Sequence, residues 1–541
     1  MKYIRNTYCI ALCCLLLSVF TACSSDDAAT VAEEPKAGSL LRLHISLAAP
    51  ASATRATYNP TGGEDGDGWR IGRYNENNVY DVFLYSLKAA DGINAPDNTP
   101  VKLMGVQRDI DFRPEMLTTK PDGSVEMVLD MNVGDYDFKS SIYDKYIALI
   151  NLNDARPEMT LGELRNMLVN QTFTQNGSQM KQYDRFTMAN AEESEPISGK
   201  GTEDEPYEIG ISVERHAARI DFAYTKTALD AGKFSIGADG SYRYKVEGGN
   251  DEVRLTHVRL TNGMQSQPYL IKRLMASESD AKPAYLAKEQ DPASKYVVEP
   301  TTWQKTVEAS GNGTLPFDRW YGDSWYGNAV KYFASTETPW FRIQDKVHSG
   351  SGDAFTDGTS LDEKDNDWNY YVVGYANENT MKAEQTLHNY TTGLVLKATY
   401  VPEVLYKAVD AEAGTLTVDE DYVEGTTFWR WHDIDTNADR YFSNEEAAQQ
   451  FRALYPHSVV FAYNDAQCYY NVWLRHENII DDPTTTTMEF GIVRNNIYRV
   501  NVEFTGIGMP DVPDDMITPE AIRMFIYVRK WNLITHPEIE I

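Results

Sequence analysis

Apolar and polar residues alternate with a period of two in several short runs along this chain. The cleanest run sets Leu41, Leu43, Ile45 and Leu47 against Arg42, His44 and Ser46. That period places one set of side chains on each face, so it predicts a half-buried strand, and Pro50 ends it. Further strand candidates follow at 75–87, 124–133, 144–153, 208–225, 252–262, 391–403, 466–476, 497–504 and 522–533. Two helices are predicted between them. One runs from about Leu161 to Val169, with Thr160 and Glu163 at capping-box spacing; the other begins with Ser443 and Glu446, carries an Ala447, Phe451 and Leu454 stripe, and stops at Pro456.

This succession predicts a mostly β chain with two tandem antiparallel β-sandwiches, each with a short helix. Residues 56–240 are expected to form the N-terminal sandwich and residues 241–541 the C-terminal one. The pattern weakens between about 263 and 388, where SGSGDAFTDGTSLDEKDNDWN has the composition of a surface loop, so a long insertion is expected there. The end of the chain is unusual. After a linker holding Gly506, Gly508, Pro510, Pro513 and Pro519, apolar residues persist through Trp531, Leu533, Ile534, Ile539 and Ile541. Chain ends are normally polar, and an apolar strand left at an edge invites pairing with another chain. The tail is therefore expected either to close its own sheet or to complete a neighbour's. Met524, Ile526 and Val528 alternate with Phe525 and Tyr527, which suits a strand of the chain's own sandwich. Trp531 onward is the better candidate for a donor segment, although Pro537 interrupts its ladder.

Residues 1–23 read MKYIRNTYCIALCCLLLSVFTAC, a basic start, an apolar run too short to span a membrane, and small residues before Cys23. That is a secretory leader, with cleavage expected between Ala22 and Cys23. TAC resembles a bacterial lipobox, in which the cysteine thiol is acylated; Phe20 stands where Leu is usual. A polar tether follows, then the alternating strand, then ASATRATYNPTGGEDGDG, a linker in which Arg55 stands between small residues. Arg55–Ala56 is either an accessible trypsin-like cleavage site or an ordinary solvated arginine.

Charge narrows the partners. Of the chain's 50 Lys and Arg and 80 Asp and Glu, the leader holds only Lys2 and Arg5, leaving 48 against 80. A net charge of −32 repels phosphate backbones, so nucleic acid is not an expected partner. Four cysteines lie at 9, 13, 14 and 23, and Cys468 is the remaining thiol, expected buried in a strand.

Catalytic chemistry finds no support: HExxH, GxSxG, Walker and Rossmann patterns are absent, and no cofactor is expected. Asp433, Asp435, Asn437 and Asp439 occupy the odd positions of a calcium loop, but Ala438 replaces the required Gly and Asn444 the bidentate Glu. An Asp- and Asn-rich turn or a weak calcium site both fit. Trp303, Trp320, Trp325, Trp340 and Trp368, with Tyr321 and Tyr326, crowd the insertion, either as its local core or as a glycan-stacking surface.

Several segments in order resemble the fimbrillins of Bacteroidales, subunits of type V pili, and most closely the shaft subunit of the minor fimbriae. They are the lipobox, the strand and Arg55 linker, NENNVYDVFLYSL, YIALINLND, ISVERHAARIDF, YFSNEEAAQQF, YYNVWLRHE and GIVRNNIYRVNVEFTGIG. The resemblance implies transthyretin-like, Greek-key sandwiches in a non-enzymatic adhesive filament. It implies a lipidated precursor at the outer membrane and an arginine-specific protease cutting after Arg55. It also implies loss of the strand bearing Leu41, Leu43, Ile45 and Leu47, and filling of the vacated groove by the C-terminal strand of another subunit. Expected partners are other copies and fimbrial tip and anchor subunits, at the cell surface. Two alternatives remain open: a fimbrial tip or anchor component, and a monomeric outer-membrane lipoprotein that binds glycans and keeps its N-terminal strand.

Overall fold

A computed structural model describes residues 40–47, 69–71, 76, 78–89, 95–111, 116–119, 125–133, 144–153, 155–170, 172–174, 185–191, 194–195, 197–225, 232–238, 241–261, 267–275, 281–283, 296–298, 341–342, 368–379, 391–476, 489–511 and 521–532. The strands of the first part are β1 (Leu40–Leu47), β2 (Trp69–Ile71), β3 (Val82–Lys88), β4 (Pro100–Gln107), β5 (Leu117–Thr119), β6 (Val125–Asn132), β7 (Asp144–Ile150), β8 (Glu158–Thr160), β9 (Phe173–Thr174), β10 (Arg185–Phe186), β11 (Met188–Asn190) and β12 (Tyr207–Arg215). Helix α1 (Leu161–Asn166) follows β8.

Nine of these strands form one sheet in the order β5-β6-β1-β12-β11-β7-β3-β4-β8. If flat, it would hold β4 and β6 six strand spacings apart, about 29 Å. A Cβ on Gly105 of β4 would instead lie 3.2 Å from Met131 Cε of β6, so the sheet curls until its two ends meet. The enclosed face is a core that includes Leu43, Ile45, Leu84, Leu129, Ile150 and Ile211. On the other face Phe83, Tyr85, Ile147 and Leu149 pack under Leu161 and Leu164 of α1. Burial on both faces explains why β3 and β7 read as nearly continuous apolar runs.

Helix α1 starts with the expected capping box: Glu163 N donates to Thr160 Oγ1 at 3.2 Å, and Thr160 N donates to Glu163 Oε2 at 2.7 Å. It ends at Asn166 rather than Val169, because Met167 turns extended and residues 167–170 pair with 268–270 through Leu270 N to Met167 O and Val169 N to Pro268 O.

The second part contains β13 (Ala217–Thr225), β14 (Phe234–Ile236), β15 (Tyr242–Lys245), β16 (Glu252–Thr261), β17 (Arg273–Met275), β18 (Ala281–Pro283), β19 (Tyr296–Val298), β20 (Phe341–Arg342), β21 (Trp368–Asn377), β22 (Gly393–Val401), β23 (Tyr406–Asp410), β24 (Thr415–Val418), β25 (Phe428–Asp433), β26 (Asp439–Phe442), β27 (Ser458–Tyr463), β28 (Gln467–Trp473), β29 (Asn496–Phe504) and β30 (Ile522–Asn532), with helix α2 (Glu445–Leu454) after β26. A five-stranded sheet, β2-β30-β29-β13-β21, faces the sheet β14-β15-β16-β22-β28 across a core of Ile220, Phe222, Leu255, Leu396, Tyr470 and Val500. A further sheet, β24-β23-β26-β25-β27, packs Trp431 and Phe442 on Phe451 of α2. That helix is capped one residue later than expected, with Ala447 N donating to Asn444 Oδ1 at 2.9 Å, because the Ser443 hydroxyl is engaged by Asp419.

The run 208–225, read from sequence as one strand, is two. β12 ends at Arg215 and belongs to the curled sheet, whereas β13 begins at Ala217 and belongs to the second sandwich. His216 turns the chain between them, its ring nitrogens 2.8 Å from Thr187 O and 2.7 Å from Leu270 O. The change of sheet thus falls at His216.

Candidate functional site

β1 is an interior strand. It pairs antiparallel with β6, Leu40 to Ser46 against Asn132 to Glu126, and parallel with β12, Leu41 to Leu47 against Tyr207 to Val213. The alternation seen in the sequence is realised: Leu41 and Leu43 are fully buried and Ile45 nearly so. Each such side chain is worth about 1.5–3 kcal/mol of transfer free energy before ordering costs. The side chain of Leu47 lies outside the described residues, although its backbone completes the ladder.

The outward face of β1 carries Arg42 and His44 and meets acids. Arg42 makes a two-pronged contact with Asp130, Nε to Oδ1 at 2.8 Å and Nη2 to Oδ2 at 3.1 Å. That bond, with the charges of Asp130 and Glu208, holds the Arg42 guanidinium above its ordinary pKa. His44 Nδ1 lies 3.0 Å from Glu126 Oε1, and the Ser46 and Ser212 hydroxyls are 3.1 Å apart. β1 is joined to β2 through residues 48–68, which include Arg55 and Ala56 and lie outside the described residues, as do the lipobox residues Ala22 and Cys23.

At the other end of the chain, β30 pairs antiparallel with β29 from Ile522 to Lys530. Its last residues pair parallel with β2, Trp531 opposite Arg70. Trp531 is thus within the chain's own sheet in this structure, while Leu533, Ile534, Ile539 and Ile541 lie outside the described residues. Residues 461–536, spanning most of β27 through β30, match the family described as Major fimbrial subunit protein type IV, Fimbrillin, C-terminal.

This C-terminal part of the chain matches the fimbrillin family.

Among solved structures it is similar to the fimbrilin FimA of Porphyromonas gingivalis W83, at 11% identity over 93% of this chain and 100% of that one, with a TM-score of 0.33. It is also similar to the tip fimbrial protein Mfa3 of Porphyromonas gingivalis, truncated at its C-terminus, at 9% identity over 91% of this chain and 100% of that one, with a TM-score of 0.31. No curated protein matches it.

The VRNNIY segment, within the residues matched to that family, has a physical role in a buried polar network. Arg494 is buried and donates Nη2 to Glu378 Oε2 and to Tyr269 O, both at 2.6 Å. Asn495 takes a positive φ of 57°, and its Oδ1 accepts from Arg215 N. Tyr498 Oη accepts from Val493 N at 2.8 Å and lies 2.7 Å from His476 Nδ1. Gly508 of the following GIG segment lets the chain lie against β28: a Cβ there would fall 2.4 Å from the Tyr469 carbonyl oxygen.

Sequence reasoning missed a buried ion cluster where the two parts of the chain meet. Glu76 Oε2 accepts from Arg219 Nη1 at 2.9 Å and its Oε1 accepts from Tyr375 Oη at 2.6 Å. Arg219 also grips Asp221 through two bonds of 2.9 and 3.0 Å, and Arg215 Nε donates to Glu76 O at 3.0 Å. The available signal was the density of charge in ERHAARID within an apolar run, since buried charges persist only when paired.

The acidic turn is held by hydrogen bonds of its own. Asp433 Oδ1 accepts from Asp435 N and Thr436 N, both at 2.9 Å, and Asn437 adopts φ 58°. Asp439 is engaged by Arg430 Nε at 2.7 Å and lies 2.9 Å from His432 Nδ1. Among the described residues no group of three His, Cys, Asp or Glu could hold a metal. Cys468 is fully buried, and burial pushes its thiol up to about 12. Trp303, Trp320, Trp325, Trp340, Tyr321 and Tyr326 lie outside the described residues; Trp368 begins β21, opposite Thr225.

Proposed function

We propose that this chain is a structural subunit of a cell-surface fimbrium that polymerises by exchange of strands. It is exported through a leader cleaved between Ala22 and Cys23, acylated on Cys23 and held at the outer membrane as a precursor. An arginine-specific protease cuts between Arg55 and Ala56, and β1 leaves. The C-terminal segment of another copy, with Trp531, Leu533, Ile534, Ile539 and Ile541, then takes the vacated place. Other fimbrial components at tip and anchor, and adhesion by the filament, belong to the same reading.

The observation that carries it is the interior position of β1. An N-terminal strand can leave without unthreading the rest of the chain. Its departure exposes two strand edges, β6 and β12, facing each other across a gap of about 9.5 Å. Both present unsatisfied backbone groups above an apolar floor, a state that only another strand of the same alternation satisfies. β1 therefore acts as a placeholder. Arg55→Ala in the producing bacterium should leave the chain at the outer membrane as an acylated monomer; abundant polymer from that variant would reject the reading. Truncation after Lys530 should abolish polymers while leaving a folded, cleavable monomer.

A further inference from the structure

The groove filled by β1 has a charged slot on its outer rim. Arg42 lies in register with Asp130 on β6 and with Glu208 on β12, so one outward-facing position is flanked on both sides by carboxylates. Both acids are exposed and Glu126, two pleats along β6, lies close to His44. While β1 is in place its Arg42 answers this charge. Once β1 leaves, the acids remain beside an empty strand position, and like charges placed directly across a ladder are unfavourable.

We propose that Asp130 and Glu208 form an acidic slot that selects the register of the incoming tail by accepting a cation from its outward face. The proposal rests on the strand-replacement reading above and adds to it a rule for which tail residues fit where. Read as a strand with Trp531 and Leu533 turned inward, the tail places Lys530, Asn532, Ile534 and His536 outward, followed by Glu538 and Glu540. Lys530 or His536 suits the slot. Glu538 and Glu540 do not, so the register that would set them between Asp130 and Glu208 is excluded even though Ile539 and Ile541 share the inward parity. Apolar burial supplies the affinity, and the slot decides the frame.

The test uses full-length protein cleaved between Arg55 and Ala56 by an arginine-specific protease, with fluorescent peptides spanning residues 528–541. The wild-type peptide should displace β1 and bind. A peptide carrying Lys530→Glu and His536→Glu should bind about tenfold more weakly, the scale of turning an attractive cross-strand pair into a repulsive one. Protein carrying Asp130→Lys and Glu208→Lys, both at exposed positions, should reverse that preference, and added salt should shrink it. Equal binding of both peptides by wild-type protein would overturn the slot and leave strand replacement standing. Retention of β1 with no peptide bound would overturn strand replacement, and the slot with it.

Discussion

Leu43→Ala should weaken the uncleaved chain and leave the assembled polymer unchanged. Leu43 is fully buried, in register with Leu129 on β6 and Ile209 on β12. Truncation there removes three carbons from the middle of an enclosed core. Leu→Ala at such a site costs roughly 2–5 kcal/mol, depending on how far the walls collapse. The Leu43 site is closed by strands hydrogen-bonded on both sides, so about 3 kcal/mol is expected. The appropriate assay is local, because a chain with several cores does not unfold in one step. Hydrogen exchange at the β6 and β12 amides should accelerate by roughly 150-fold in full-length Leu43→Ala protein, the factor that about 3 kcal/mol implies. Polymer made from the same variant should show wild-type exchange at those amides and wild-type resistance to heat, because residues 24–55 are gone. A polymer as weakened as the precursor would mean β1 is still in the sheet. Unchanged exchange in the precursor would mean β1 is not holding it.

The buried ion cluster should be intolerant of losing one member: Glu76→Gln removes the carboxylate charge facing buried Arg219, and about 3–5 kcal/mol of lost local stability is expected by hydrogen exchange at the β13 amides. Cys468 should resist thiol reagents at pH 8 in the folded protein and react on addition of guanidinium, as followed by peptide mass mapping; rapid native labelling would contradict its burial. Burial, with the nearby charge of Arg494 next, pushes the His216 imidazole down to about 3, against the pull of the two carbonyls. Its folded pKa lies below the unfolded value near 6.5, so its contribution is present above pH 6.5 and is lost as pH falls toward 3, by about 2 kcal/mol at pH 5. His216→Gln should flatten that part of the stability profile. A wild-type profile already flat from pH 7 to 5 would mean that Thr187 O and Leu270 O hold the ring doubly protonated.

Strands whose two faces differ were the most legible in the sequence. β1 could be read residue by residue because Arg42, His44 and Ser46 mark its wet face, and α1 because its cap is a local interaction. Longer-range facts were not. Nothing local distinguishes an interior β1 from an edge strand, since its neighbours β6 and β12 lie 80 and more residues away. The turn at His216 was hidden for the same reason: its two carbonyl partners come from residues 187 and 270, so an apolar run with period two continued through it on paper. Asn444 and Ser443 are equally good caps by type, and the Ser443 side chain is engaged by Asp419 of another loop. For the proposed site, the groove's floor could be inferred from Leu41, Leu43 and Ile45, but its acidic rim required the register.

The most direct test of the account is the N-terminal sequence and intact mass of material sheared from the cell surface, run beside an unheated gel. A mature chain beginning at Ala56, in ladders that collapse on heating, is the predicted result: β1 has gone and another strand holds its place. A chain beginning at acylated Cys23, running only as a monomer, would contradict it. In that case Leu41, Leu43 and Ile45 remain in their own sheet, and the protein is an anchored lipoprotein.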